Sequence, residues 1–404
     1  MTIISSNVRA ALALILLGGV ATPDMAAAAR PAGLTLDRVV ILMRHGVRAP
    51  LDGEVPDGTR TARPWPHWTT PESELTPHGA QALAAEARAD RAAWVAQGLL
   101  PATGCPAIRI RTNSSSRTIA SGAAYAKAIA PDCALAVDHN PIGQVDALFE
   151  PLRARATTFD ADAAVADINR FTGGMDALVA RNRDGLRLLD TVLGCGDRQG
   201  CDPGRTARLT PSADGHGIDL TGPIRTASGT AQVLLLQYAE GLPPSVGGMA
   251  VDGRVLAQLG KLHAALFDVY SRSPYMAAHQ SAAFGRHMID ALTAKDGAKV
   301  DMLVGHDTNV TALAALLGFD LVAPGYATND AAPGGAVLIN RWHDPAGKAF
   351  VTVTYRTQSP DQIRAHAAAV TVTPVRVPGC PADAPCPLDR FVTLFGQKLP
   401  PLAN

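Results

Sequence analysis

The sequence predicts an α/β fold in which a mixed, mainly parallel central sheet is flanked by helices and carries a mostly helical inserted cap. Three observations lead there. Residues 37–43 run Asp37-Arg38-Val39-Val40-Ile41-Leu42-Met43, and the five consecutive apolar side chains suit a strand covered on both faces. Val300-Asp301-Met302-Leu303-Val304 repeats that pattern late in the chain and runs straight into a helical stretch over 310–317. Between them, over 142–256, the strand signal fades and helical periodicity takes over.

The remaining elements follow from local patterns. The stretch Arg60-Thr61-Ala62-Arg63-Pro64-Trp65-Pro66-His67-Trp68 is too rich in proline for regular structure and predicts a loop able to carry recognition residues. Thr76 can cap a helix whose first turn suits Pro77, with Ala80, Leu83, Ala84, Ala87, Trp94 and Val95 on one face. Residues 107–112 alternate as a strand, 113–116 make a polar turn, and Arg117 begins a helix through 130. Residues 160–192 are helical in pattern, with Ala164, Ile168, Phe171 and Leu178 inward. A further helix over 228–240 buries Val233, Leu234, Leu235 and Leu236 before Gly241 ends it. Helices over 256–270 and 277–292 return the chain to the sheet, and alternation over 335–342 and 350–356 around Asp344-Pro345-Ala346-Gly347 signals a hairpin at one antiparallel edge. The expected organisation is an α/β core over 30–141 and 257–404 with a helical insert over 142–256.

Residues 1–29 have the form of a signal peptide, with Arg9, an apolar stretch over 11–20 and small residues from Ala26 to Ala29. The apolar stretch is shorter than the roughly 20 residues a bilayer span needs. The expected location is therefore periplasmic or secreted, with no membrane association after cleavage. Lys and Arg total 36, as do Asp and Glu, so no net basic charge supports a nucleic-acid partner. The histidines and cysteines show no zinc-type spacing, and neither a metal nor another cofactor is expected. Six cysteines suit an exported chain and allow fifteen pairings.

Against this neutral background, Arg44, His45 and Arg48 crowd within five residues at the end of the first strand, a costly cluster unless an anion sits among them. Arginine's planar fork matches phosphate oxygens. His306 and Asp307 end the second strand in the same way, and ligands of open α/β sheets bind outside the carboxyl ends of strands, so the two ends point to one site. Arg117 stands at a third strand end, where a helix begins.

The motifs Arg44-His45-Gly46-Val47-Arg48-Ala49-Pro50 and Gly305-His306-Asp307-Thr308-Asn309 closely resemble those of the histidine acid phosphatases, in the bacterial periplasmic phytase and glucose-1-phosphatase branch. The resemblance implies hydrolysis of phosphate monoesters, with His45 as nucleophile forming a phosphohistidine and Asp307 as proton donor. Arg44, Arg48, Arg117 and His306 would bind the phosphoryl group. It also implies the bridges Cys105–Cys133, Cys195–Cys201 and Cys380–Cys386.

Several positions depart from the branch pattern. His78 stands where arginine is usual, Leu51 and Asp52 where the best phytases have threonine and lysine, and Gln232 where phytases tend to have glutamate. Leu51 instead looks like the glucose-1-phosphatases, while Arg60, Arg63 and His67 are candidate contacts for the outer phosphates of phytate. The expected substrate is a phosphomonoester, phytate included. The alternatives are a glucose-1-phosphatase-like sugar phosphatase and a noncatalytic sugar-phosphate-binding protein. A phosphoglycerate mutase relative would share Arg-His-Gly but typically continues with glutamate where Val47 stands.

Overall fold

The computed structural model describes residues 30–194, 201 and 206–403. The expected signal peptide and Cys195, partner in the expected Cys195–Cys201 bridge, lie outside the described residues. The strands are β1 (Thr35–Arg44), β2 (Ile108–Thr112), β3 (Val137–Asp138), β4 (Arg208–Pro211), β5 (Ile218–Thr221), β6 (Val300–Gly305), β7 (Ala336–His343), β8 (Ala349–Thr357), β9 (Thr371–Val375) and β10 (Cys386–Pro387).

Eight of them form one mixed sheet in the order β10-β8-β7-β1-β6-β2-β3, with β9 also on β8. β1 pairs in parallel with β6 and antiparallel with β7; β2 pairs in parallel with β6 and β3. The pairings of β7, β9 and β10 with β8 are antiparallel, so β1, β2, β3, β6 and β8 run one way and the other three run opposite. The register sets Arg44 opposite Gly305, which brings the ends of β1 and β6 level.

β1 shows why the sheet is covered on both sides. Val40 and Leu42 point into one apolar cluster, and Val39, Ile41 and Met43 point into another that holds Leu83, Trp94 and Tyr125. The first cluster also takes in Ile168, Leu178 and Leu234, so the segment over 142–256 packs on that face of the sheet.

That segment differs in detail from the sequence expectation. The single helical run over 160–192 is three helices, Ala161–Thr172, Met175–Arg181 and Arg183–Leu193. Gly173 and Gly174, at φ 75° and 89°, turn the chain between the first two, since the left-handed region suits glycine and ends a helix. Phe171, expected inward, is 44% exposed, because the buried stripe steps from Ile168 to Thr172. The strand-poor expectation also missed the β4–β5 hairpin. Downstream, one expected helix over 277–292 is split into Pro274–Gln280 and Ala282–Thr293.

The helix Pro77–Ala96 is capped by Thr76, whose hydroxyl accepts from Gly79 N at 2.8 Å. Its Glu86 and Asp90, one turn apart, are buried against Arg356 of β8, and Tyr125 Oη donates to Asp90 Oδ2 at 2.6 Å. Burial pushes Glu86 up to about 8, with Arg356 opposing. His78 is held structurally, its Nε2 donating to the Ile363 carbonyl at 2.8 Å. The bridges Cys105–Cys133 and Cys380–Cys386 form as expected. Among the described residues, no helix is long and apolar enough to cross a membrane.

Candidate active site

The site is built where β1, β6 and β2 end. β1 delivers Arg44 and His45, and His45 N donates to the Gly305 carbonyl of β6 at 3.0 Å. The chain then turns sharply at Gly46, where a Cβ would lie 2.8 Å from Leu83 Cδ1. Two helices, Asp307–Leu317 and Ser116–Ile129, begin at this end of the sheet, and their N-terminal dipoles favour an anion there. The cavity they border, about 440 Å³, is lined by His45, Arg48, Arg117, His306 and Asp307.

His45 is buried, and its Nδ1 lies 2.8 Å from the Gly46 carbonyl. A carbonyl only accepts, so Nδ1 carries the hydrogen and Nε2 keeps its lone pair. Burial first, then the charges of Arg117 and Arg44, push its pKa well below the usual histidine range. The ring therefore stays neutral and nucleophilic in mild acid.

Arg44 donates through Nη1 to the Ala331 carbonyl and sets Nη2 3.1 Å from Asp307 Oδ2. Burial pushes the Asp307 carboxyl up, but Arg44 first and then His263 outweigh it and hold the group well below the ordinary carboxylate range. Arg117 Nη2 lies 3.4 Å from His306 Nδ1, and burial brings Arg117 down to about 10. Because Arg117 only donates, His306 Nδ1 accepts, and Nε2 donates to Asn113 Oδ1 at 3.1 Å. Burial and Arg117 take His306 down to about 3. His306 is thus a neutral ring that fixes Arg117.

Buried polar atoms without a hydrogen-bond partner among the described residues gather at this cavity: Arg48 Nε, Arg117 Nε, Ser228 Oγ and both amide atoms of Gln232. Such groups are costly unless a ligand meets them. A neutral imidazole lone pair among three guanidiniums, beside a carboxyl, is a set able to attack phosphorus, hold its oxygens and move one proton.

Residues 35–171 match the histidine phosphatase superfamily (branch 2). Phytase AppA of Escherichia coli (strain K12) is 31% identical over 348 residues, which cover 80% of this chain and 80% of that one. The chain belongs to branch 2 of the histidine phosphatase superfamily. This phosphatase, a phosphomonoester hydrolase, is also 28% identical over 386 residues to the glucose-1-phosphatase of Salmonella typhimurium, covering 89% of this chain and 92% of the relative. Its fold superposes on Hafnia alvei phytase in complex with tartrate with a TM-score of 0.85 at 31% identity, over 92% of this chain and 99% of the other. All six site residues marked in the sequence converge on one place.

Other residues of the phosphatase's cavity were not legible as such. Glu54 clamps Arg48, accepting from its Nη1 and Nη2 at 2.6 and 2.7 Å, and also accepts from Leu51 N at 2.8 Å. Arg225 and Tyr270 line the wall. His263 sits with Nε2 4.0 Å from Asp307 Oδ2. Glu54 lies six residues beyond Arg48, a weak sequence signal, while Arg225 and His263 come from distant helices with none.

The proline-rich loop is fixed by its backbone and its two tryptophans. Arg60, Ala62 and Arg63 donate backbone N–H groups to Cys201, Leu193 and Val246 carbonyls at 3.0, 2.9 and 2.8 Å, and none of Arg60, Arg63 and His67 lines the cavity. Trp65 packs on the large apolar cluster and Trp68 on the small one holding Val47 and Leu236. Leu51, Asp52 and Gln232 do line the cavity.

Proposed function

We propose that this phosphatase hydrolyses phosphate monoesters of polyhydroxylated alcohols, phytate among them, through a phosphohistidine on His45. The observation that carries the reading is the His45 imidazole, its Nδ1 fixed on the Gly46 carbonyl, in a cavity shared with Arg48, Arg117 and Asp307. In the first step the Nε2 lone pair attacks phosphorus, the ester P–O bond breaks, and Asp307 gives its proton to the leaving oxygen. Arg44, Arg48 and Arg117 take the charge on the phosphoryl oxygens, with His306 holding Arg117 in line. In the second step Asp307 takes a proton from water, whose oxygen attacks phosphorus as the P–N bond breaks.

The low pKa of Asp307 is compatible with this role because a bound phosphate brings negative charge against Arg44. That offsets the field depressing the carboxyl and lets it take up a proton. An acidic rate optimum follows.

Support for phytate comes from Arg225 on the cavity wall and from the likeness to the Hafnia alvei phytase in complex with myo-inositol hexakis sulphate, at TM-score 0.84 and 30% identity. A glucose-1-phosphatase reading is favoured by Leu51 and Asp52 in the same cavity, where an acidic mouth opposes a polyanion. Initial rates on phytate, glucose 1-phosphate and an aryl phosphate decide: strong preference for glucose 1-phosphate with no phytate turnover removes the phytase half alone.

The segment over 142–256 is read as the cap, since Arg225, Ser228 and Gln232 reach the cavity from it. A periplasmic or secreted location is supported by the two disulfides. Fractionation of the producing cell, with N-terminal sequencing of the mature chain, tests it.

A further inference from the structure

We propose that His263, oriented by Asp330, is a positioning residue that stores the proton Asp307 delivers to the leaving oxygen. The proposal rests on the roles given above to His45 and Asp307.

His263 lies on the helix Gly253–Phe267, buried, with its ring on the cavity wall. Its Nδ1 is 2.8 Å from Asp330 Oδ1, and Asp330 is itself buried. A carboxylate facing Nδ1 keeps a hydrogen there in either charge state of the ring, so any second proton sits on Nε2. Nε2 faces Asp307 Oδ2 at 4.0 Å, within ion-pair range. The chain is shaped for this pair. Gly260 lies one turn before His263, and a Cβ there would run into the Asp330 carboxylate. Phe267 closes the other side of the ring, edge-on at 4.5 Å. The titratable and charged groups around the pair are Asp307, with Arg44 and His306 beyond it, and the buried Tyr326 and Tyr355 beside Asp330.

His263 and Asp307 therefore share one proton in two arrangements. In the free site Arg44 favours the carboxylate, leaving the proton on Nε2. Phosphate binding offsets Arg44, the proton passes from Nε2 to Oδ2, and Asp307 hands it to the leaving oxygen as the P–O bond breaks. In the second step the proton that Asp307 takes from water returns to Nε2, and the cycle closes without net gain or loss.

The test compares His263→Gln and Asp330→Asn with the wild type on an alkyl phosphate, glycerol 2-phosphate, and on p-nitrophenyl phosphate, whose leaving group needs no proton. The expected result is a loss of about 10- to 100-fold in kcat/KM on the alkyl ester, against a change of less than about 3-fold on the aryl ester. The alkaline limb of the alkyl-ester pH profile should also move to lower pH. Equal loss on both substrates, or no loss on either, overturns the proposal. If His263→Gln does not fold, Asp330→Asn decides by the same comparison. Failure of the underlying reading looks different: the wild type itself would carry no phosphoryl label on His45 during turnover.

Discussion

Arg44 Nη2 lies 3.1 Å from Asp307 Oδ2, so a buried guanidinium sits on the group proposed above as the proton donor. Against the upward push of burial, Arg44 first and then His263 keep the carboxyl ionised. In the proposed mechanism, charge on the incoming ester is what arms the donor.

Asp307→Asn removes the donor and frees Arg44. The expected outcome is a loss of about 10²- to 10⁴-fold in kcat on alkyl phosphates, with a much smaller loss on p-nitrophenyl phosphate. Inorganic phosphate should bind at least as tightly as to the wild type. Weaker phosphate binding in a titration would contradict the ion-pair argument.

His45→Ala should abolish turnover on every substrate while the fold survives. The ring is buried, but among the described residues its side chain bonds the neighbouring carbonyl and meets the His306 ring edge-on, and it belongs to neither large apolar cluster. A rapid alkaline quench with labelled substrate should find phosphoryl label on wild-type His45 and none on the variant. Label at another residue would refute the covalent step.

Glu54→Gln keeps the shape of the clamp on Arg48 but removes its charge. Arg48 then loses a bidentate ion pair at 2.6 and 2.7 Å, and KM should rise more than kcat falls. An unchanged KM would mean that Arg48 is positioned without Glu54.

Stability should fall in mild acid. His306 is brought from an ordinary value near 6.5 down to about 3, and His45 is lowered too. Between those limits the unfolded chain binds protons that the folded chain does not, so stability drops as pH falls, by up to about 1.4 kcal/mol per unit for each such group. The melting temperature should decline from pH 7 to 4.5, less steeply in His306→Gln and less steeply with saturating phosphate. Identical slopes for wild type and His306→Gln would rule out this origin.

Loss of the Cys105–Cys133 bridge should cost more than loss of Cys380–Cys386, because it closes a separation of 28 residues against 6. Chain entropy puts the two at about 3–4 and about 2 kcal/mol. Paired Cys→Ser variants compared by denaturant unfolding check the order.

What could be read from the chain was what depends on neighbours in sequence. The strand before His45, the strand before His306, the cap at Thr76 and the hairpin around Asp344 are local patterns of polarity and turn chemistry. The two motifs, and the chemistry their resemblance implied, are likewise contiguous. The breaks inside the expected helix over 160–192 were hidden because helical periodicity continues past Gly173 and Gly174.

Tertiary structure decided everything that depends on distance across the fold. Arg117 and His306 are 189 residues apart in sequence and 3.4 Å apart in space. His263 and Asp330 meet because Gly260 lets a helix approach a loop, and Glu86 and Asp90 meet Arg356 across the sheet. The same packing turned Phe171 outward and tied the backbone of the Arg60–Arg63 loop to a helix end and to neighbouring loops. Residue types restrict which groups can act on a phosphate, but the field each one feels is set by burial and by charges a few ångströms away. For that reason the sequence named Asp307 and His306, while only the folded chain showed the first ionised and the second neutral.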